Sequence, residues 1–205
     1  MGGNLFIISS PSGGGKGTLI REVLRKVPEV GYSVSFTTRQ ARKSEQHGRE
    51  YFFVTHPEFE RMRDAGEFLE WALVHGNFYG TALTQVETEL KNGRDVILEI
   101  DVQGAASVKR LMPSSIGIFI MPPSFETLSQ RLKMRGSETS SDLAIRLLNA
   151  RGEVERWRDF DYIIINDEVK RAAKHLAAIF LATRARANRM ESSVKEVLKT
   201  FNLQD

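Results

Sequence analysis

The 205-residue sequence predicts an α/β fold, a parallel sheet with helices on its faces. Three observations carry that expectation. Short, wholly apolar runs end abruptly in small or turn-forming residues, as strands buried on both faces of a sheet do. Stretches with apolar residues at helical spacing separate those runs, and strands alternating with helices need the right-handed crossovers of a parallel sheet. The 41% hydrophobic and 27% charged fractions are those of an ordinary globular chain and exclude a disordered one.

The first strand is Leu5-Phe6-Ile7-Ile8. A glycine-rich stretch follows, and then Ile20, Val23, Leu24 and Val27 recur at helical spacing until Pro28, which cannot continue a helix. A second strand, Val96 to Ile100, runs into Asp101 after a helix with Leu83, Val86 and Leu90 on one face and Gly93 where a C-terminal cap belongs. Ile116 to Met121 is a strand stopped by Pro122-Pro123, and Tyr162 to Ile165 one stopped by Asn166-Asp167. From Val169 onward Ala173, Leu176, Ile179 and Phe180 form one stripe before the segment turns charged.

Two stretches break the alternation. Residues 33–81 are rich in Ser, Thr, Arg, Gly and aromatics, with strand-like pieces at Tyr51 to Val54 and Phe68 to Val74. Residues 126–156 are helical and Arg-rich around Gly136. Both read as insertions into a core made of residues 1–32, 82–125 and 157–205. Phe68 and Trp71 are expected in the interior, the commonest place for such side chains.

Composition also excludes function classes. The chain has no cysteine, which removes disulfides, thiolate zinc sites and cysteine nucleophiles and fits a reducing, cytoplasmic setting. Lys and Arg exceed Asp and Glu by 29 − 26 = 3, too narrow and dispersed a surplus to point to nucleic acid. The apolar runs are too short for a bilayer, so no membrane partner is expected. The four histidines lack metal-ligand spacing, so no metal site belonging to the protein itself is expected.

Ser10-Pro11-Ser12-Gly13-Gly14-Gly15-Lys16-Gly17-Thr18 lies between the first strand and the first helix, where a phosphate-binding P-loop lies. Glycines let backbone N–H groups turn inward around an anion, the helix N-terminus adds positive potential, and Lys16 brings a full charge to the β- and γ-phosphates. The expected fold is therefore of the P-loop NTPase type, with ATP on Ser12, Gly13, Gly14, Gly15, Lys16, Gly17 and Thr18. The pattern departs from G-x-x-x-x-G-K-[ST] at both ends, with Ser10 for the first glycine and Gly17 after the lysine. The usual Mg²⁺ ligand is thus missing, and Thr18 or a water would stand in for it.

Beyond this loop the chain resembles the guanylate kinase family of nucleoside monophosphate kinases. The resemblance rests on Ser33 to Arg39, His47 to Phe53, Phe68 to Ala72, Gly76 to Thr81, Asp101 to Gly104 and Ile165 to Asp167. It implies transfer of a phosphoryl group from MgATP to GMP or dGMP, with residues 33–81 holding GMP and residues 126–156 acting as a lid. Arg39, Arg42, Tyr51 and Tyr79 would grip the GMP phosphate, a role suited to bidentate guanidinium groups. Glu70, Ser35, Thr81 and Asp101 would read guanine, whose N1–H and amino group are donors. The resemblance also implies lid arginines at Arg135 and Arg146 for the transfer step and an adenine contact at Asn166; Arg131, four residues before Arg135 on the same helical face, is a further candidate from its position alone. Glu99 stands where the family commonly has Asp.

A competing reading is a scaffold domain of the same fold that binds proteins instead of catalysing. Such domains typically have a degraded phosphate loop, whereas Lys16 and the arginines persist here. The charged end of the terminal segment is available to a partner subunit, so a homo-oligomer remains open.

Overall fold

The computed structural model describes residues 2–43, 45–74, 76–134 and 140–201. The chain opens with β1 (Leu5–Ser9), α1 (Lys16–Lys26), β2 (Val30–Tyr32), β3 (Phe36–Thr37) and β4 (Phe52–Phe53). It continues through α2 (His56–Asp64), β5 (Phe68–Val74), β6 (Asn77–Ala82), α3 (Leu83–Lys91), β7 (Asp95–Glu99), α4 (Val102–Leu111) and β8 (Ile116–Met121). The last elements are α5 (Phe125–Met134), α6 (Ser140–Glu155), β9 (Tyr162–Ile165), α7 (Val169–Arg184) and α8 (Ala187–Thr200).

Five strands form a wholly parallel sheet in the order β2-β7-β1-β8-β9. The central strand β1 is buried along its length, which explains its lack of polar alternation. Phe6 and Ile8 face one layer with Leu19, Ile20 and Val23 of α1 and Leu176 and Phe180 of α7. The Phe6 and Phe180 rings stack at 3.8 Å. Leu5 and Ile7 face the other layer with Val86 of α3 and Val108 of α4. From β1 the chain runs through α1 to the edge strand β2 on one side, and the later strands β8 and β9 lie on the other, so the carboxyl end of β1 is a topological switch point, where open α/β sheets bind ligands.

A smaller sheet, β4-β3-β6-β5, mixes parallel and antiparallel pairs. Its core is aromatic: Phe59 of α2 stacks on Phe68 and Phe78 at 4.5 and 5.2 Å. Trp71 differs from the expectation. It is 45% exposed, because β5 is an edge strand and Trp71 points outward, with the Arg63 guanidinium 5.5 Å above its ring. The terminal segment also differs, since it breaks after Arg184 into two helices. Among the described residues, no helix is long and apolar enough to cross a membrane.

Candidate nucleotide-binding site

The glycine-rich loop turns between β1 and α1 as its sequence requires. Gly13 and Gly15 have φ of 87° and 89°, the left-handed region that favours glycine. A Cβ on Gly15 would come within 2.4 Å of Asn166 Nδ2. The Gly14 N–H donates to the Pro11 carbonyl at 2.8 Å, closing the turn. The N-terminus of α1 has neither a side-chain cap nor an acidic residue in its first turn. Its orphan N–H groups and positive dipole end are thus available to an anion.

Side chains from three other elements hold this loop. Asn166, just past β9, is buried and donates from Nδ2 to the Gly14 carbonyl at 2.8 Å. Its Oδ1 is buried without a hydrogen bond among the described residues. Arg131 of α5 donates to the Asn166 carbonyl at 2.9 Å. From α6, Arg146 donates to Ser12 Oγ at 2.7 Å, and Glu153 Oε2 accepts from the Ser12 N–H at 3.0 Å. Arg135 lies outside the described residues.

On the far side of Lys16, the space beside Gly17 is faced by a carboxylate. A Cβ placed there would lie 3.7 Å from Glu99 Oε1. The other Glu99 oxygen accepts from the Tyr32 hydroxyl at 3.0 Å. Burial first, then the Glu99 charge, raise the Tyr32 pKa far above its ordinary value. Thr18 Oγ1 accepts from Arg21 Nη2 at 3.3 Å. Among the described residues, no group of three or more His, Cys, Asp or Glu could hold a metal ion.

Across the cleft, a cavity of about 180 Å³ is lined by Lys16, Ser35, Tyr51, Glu70, Tyr79 and Asp101, among others. Glu70, on β5, is 6% exposed and accepts from Thr81 Oγ1 at 2.7 Å. Burial above all, with the neighbouring Asp101 charge, lifts the Glu70 carboxyl from 4.5 to about 7. Gly104 makes room for it, since a Cβ there would stand 2.8 Å from Glu70 Oε2. Asp101 caps α4 by accepting from the Gly104 N–H at 2.8 Å. Tyr51 is pushed up to about 12, by burial and then by the Glu99 charge.

A wider cleft of about 620 Å³ joins this cavity to the phosphate loop, with Ser12, Lys16, Arg39, Arg42, Tyr79, Asp101 and Arg146 on its walls. Arg39 pairs bidentately with Glu45, at 3.0 and 2.9 Å. Burial opposes the Arg39 charge, but hydrogen bonds to Glu45 and Tyr79 outweigh it and raise the pKa. The Arg42 N–H donates to the same carboxylate at 2.8 Å. Sequence reasoning did not single out Glu45 or Glu153, since a lone glutamate in a charged loop or helix has no pattern. The structure brings Lys16, Ser35, Tyr51, Glu70, Tyr79 and Asp101 to one cavity, with Thr81 bonded to Glu70, and puts Arg39, Arg42 and Arg146 in the adjoining cleft. Asn166 lies under the loop and lines neither space.

The strand order, and the loop at the end of β1, make this a P-loop NTPase fold, of the class that binds nucleoside phosphates. Comparison with known proteins narrows the class. A family model described as guanylate kinase matches residues 2–183. The guanylate kinase of Aromatoleum aromaticum is 47% identical over 192 residues, covering 93% of this chain and 94% of that one. That of Dechloromonas aromatica is 49% identical over 183 residues, covering 89% and 91%. The crystal structure of guanylate kinase from Anaplasma phagocytophilum superposes with a TM-score of 0.77 at 34% identity, covering 92% of this chain and 89% of that one. The chain belongs to the guanylate kinase family.

Proposed function

We propose that the chain is an ATP:GMP phosphotransferase of purine nucleotide metabolism, converting ATP and GMP, or dGMP, to ADP and GDP, or dGDP. The observation that carries this reading is the buried Glu70 carboxylate, which shares one cavity with Lys16 of the phosphate loop. Residues 33–81 act as the GMP-binding insertion and 126–156 as the lid on a core of 1–32, 82–125 and 157–205.

Glu70 accepts from guanine N1–H and the amino group, assisted by Ser35, Thr81 and Asp101. Adenine has an acceptor at N1 and would leave without a donor the ionised Glu70 oxygen that Thr81 does not reach, which costs more than a good contact contributes. Arg39, Arg42, Tyr51 and Tyr79 hold the GMP phosphate, and Arg39 exchanges one anionic partner, Glu45, for another. Gly13 to Thr18 wrap the ATP phosphates. A GMP phosphate oxygen then attacks the γ-phosphorus in line as the bond to the β–γ bridging oxygen breaks. Transfer of this kind is catalysed by positioning and neutralisation, supplied by Lys16 and by Arg146 and Arg135 of the lid. Closure excludes water as a competing acceptor.

The oxygen donors beside Gly17 suit Mg²⁺ carried in by ATP, which would supply further neutralisation of phosphate charge. Glu99, whose carboxylate faces the space left by Gly17, would hold it more readily than Thr18, whose hydroxyl already faces the Arg21 cation. A coupled assay of ADP release with MgATP tests the reading. GMP should be turned over, and AMP should be poorer by about 10³-fold or more in kcat/KM. Equal use of the two would refute it, and so would a folded, inert protein that captures a protein partner.

A further inference from the structure

Ser12 receives two side chains of α6 at once, and they come from opposite halves of the helix. Arg146 donates to its hydroxyl through Nη2 and Nε, at 2.7 and 3.2 Å. Glu153 accepts from its backbone N–H at 3.0 Å. Seven residues apart, the two side chains lie on one helical face, separated by two turns or about 10.5 Å of axial rise. Ala150, between them on that face, is fully buried, and Leu143 and Leu147 pack against Leu128 and Leu132 of α5. A Cβ on Gly13 would touch the same two α5 leucines at 3.0 Å. The α5–α6 pair thus rests on the phosphate loop, and Glu153 is its polar attachment at the end of α6.

A carboxylate is a poor neighbour for a polyphosphate. It repels the ligand that the loop is built to bind, so a contribution to ATP affinity does not account for it. Geometry does. The Ser12 N–H bond fixes where α6 rests on the loop and at what angle, and the Arg146 backbone, from which the guanidinium reaches back to Ser12 Oγ, lies at the far end of that lever. A tilt of only 5° about the Glu153 end would displace a group two turns away by about 0.9 Å. Errors of this size between reacting groups reduce rates by as much as about 10²-fold.

We infer that Glu153 is a positioning residue for phosphoryl transfer: its bond to the Ser12 N–H pins the base of the lid helix and thereby aims Arg146 at the transferring group. This rests on the function proposed above. Ser12 becomes the joint between loop and lid, and the identity that matters at position 153 is an acceptor, not a charge.

The test is steady-state kinetics of the full chain with MgATP and GMP, on Glu153→Ala, Glu153→Gln, Arg146→Ala and the Arg146→Ala/Glu153→Ala double variant, with thermal melts for each. E153A should lower kcat about 10- to 100-fold with both KM values within about threefold of the parent, and KM for ATP should not rise. E153Q keeps an oxygen acceptor and should stay within about threefold of the parent. Adding E153A to R146A should cost less than about threefold further, because the group being aimed is gone. An E153A enzyme with unchanged kcat, an E153Q enzyme as damaged as E153A, or an equal loss in both backgrounds would overturn the inference while leaving the activity intact. A parent protein that makes no GDP would overturn the functional reading and this inference with it.

Discussion

Replacing Glu70 by Gln removes one ionisation and keeps the shape, so its consequences can be worked from the structure. The Glu70 carboxyl sits near 7 instead of 4.5 because it is buried, whereas the guanine donors want the carboxylate. GMP should therefore bind the ionised form. With an apparent value of about 7, the ionised fraction falls from about 0.9 at pH 8 to about 0.1 at pH 6, so kcat/KM for GMP should drop about tenfold over that span. The second ionisation of the GMP phosphate, near 6, affects parent and variant alike and cancels in their ratio. E70Q should lose about 10²-fold in kcat/KM for GMP at pH 8, the worth of a charged hydrogen bond or two, and should lack the extra pH dependence. The assay is kcat/KM for GMP at saturating ATP between pH 5.5 and 8.5, plotted as the ratio of the two enzymes. Parallel profiles would refute the reasoning. Stability changes in the linked sense. The folded-state pKa is raised, so the favourable contribution is complete below about 4.5 and is lost as pH rises through about 7. Neutral E70Q should gain on the parent between pH 5 and 8, by up to about 3 kcal/mol, read from denaturant midpoints.

Lys16→Ala should lower kcat by about 10³-fold with a melting temperature within about 2 °C of the parent, and an active, folded variant would contradict the phosphate-loop assignment. Gly15→Ala puts a Cβ 2.4 Å from Asn166 Nδ2 at a φ of 89°. Strain of about 1–3 kcal/mol should raise KM for ATP about 10- to 100-fold while calorimetric GMP affinity holds. Asp95, 2% exposed, accepts from Asn4 N and Nδ2 at 2.7 and 2.8 Å and from Arg184 Nε at 2.8 Å. Asp95→Ala strands those donors and should cost about 3–5 kcal/mol, about 10 °C in melting temperature, with activity per folded molecule retained.

The elements legible in the sequence are those whose burial leaves a periodic or continuous apolar trace. β8 and β9 occupy the residues expected, and the strand–loop–helix around Lys16 was plain from its glycines. β2 was missed because three residues, one of them glycine, carry no period, and its place is set by pairing with β7. α4 begins directly at the Asp101 cap and buries Val102, Ala105 and Val108 on one face, but its small residues weaken that stripe in the sequence, and Gly104 is what lets the helix approach Glu70. α2 buries only Phe59 and Met62 among charged neighbours, too weak a stripe to read. Candidate site residues were legible by type and order, Lys16 from its place in the glycine-rich loop and Glu70 from the family resemblance, and both line one cavity. Glu45, Tyr32 and Glu153, which bond Arg39, Glu99 and Ser12, were not, because each makes a contact that only the fold creates.

The proposed transfer needs a single cleft with two ends, and a crystal structure with GMP and a non-hydrolysable ATP analogue tests for it. Guanine should lie within hydrogen-bonding distance of Glu70 and Asp101, with its phosphate on Arg39 and Arg42 and the triphosphate in the Gly13 to Thr18 loop. GMP seated away from Glu70, or a triphosphate bound outside that loop, would contradict it.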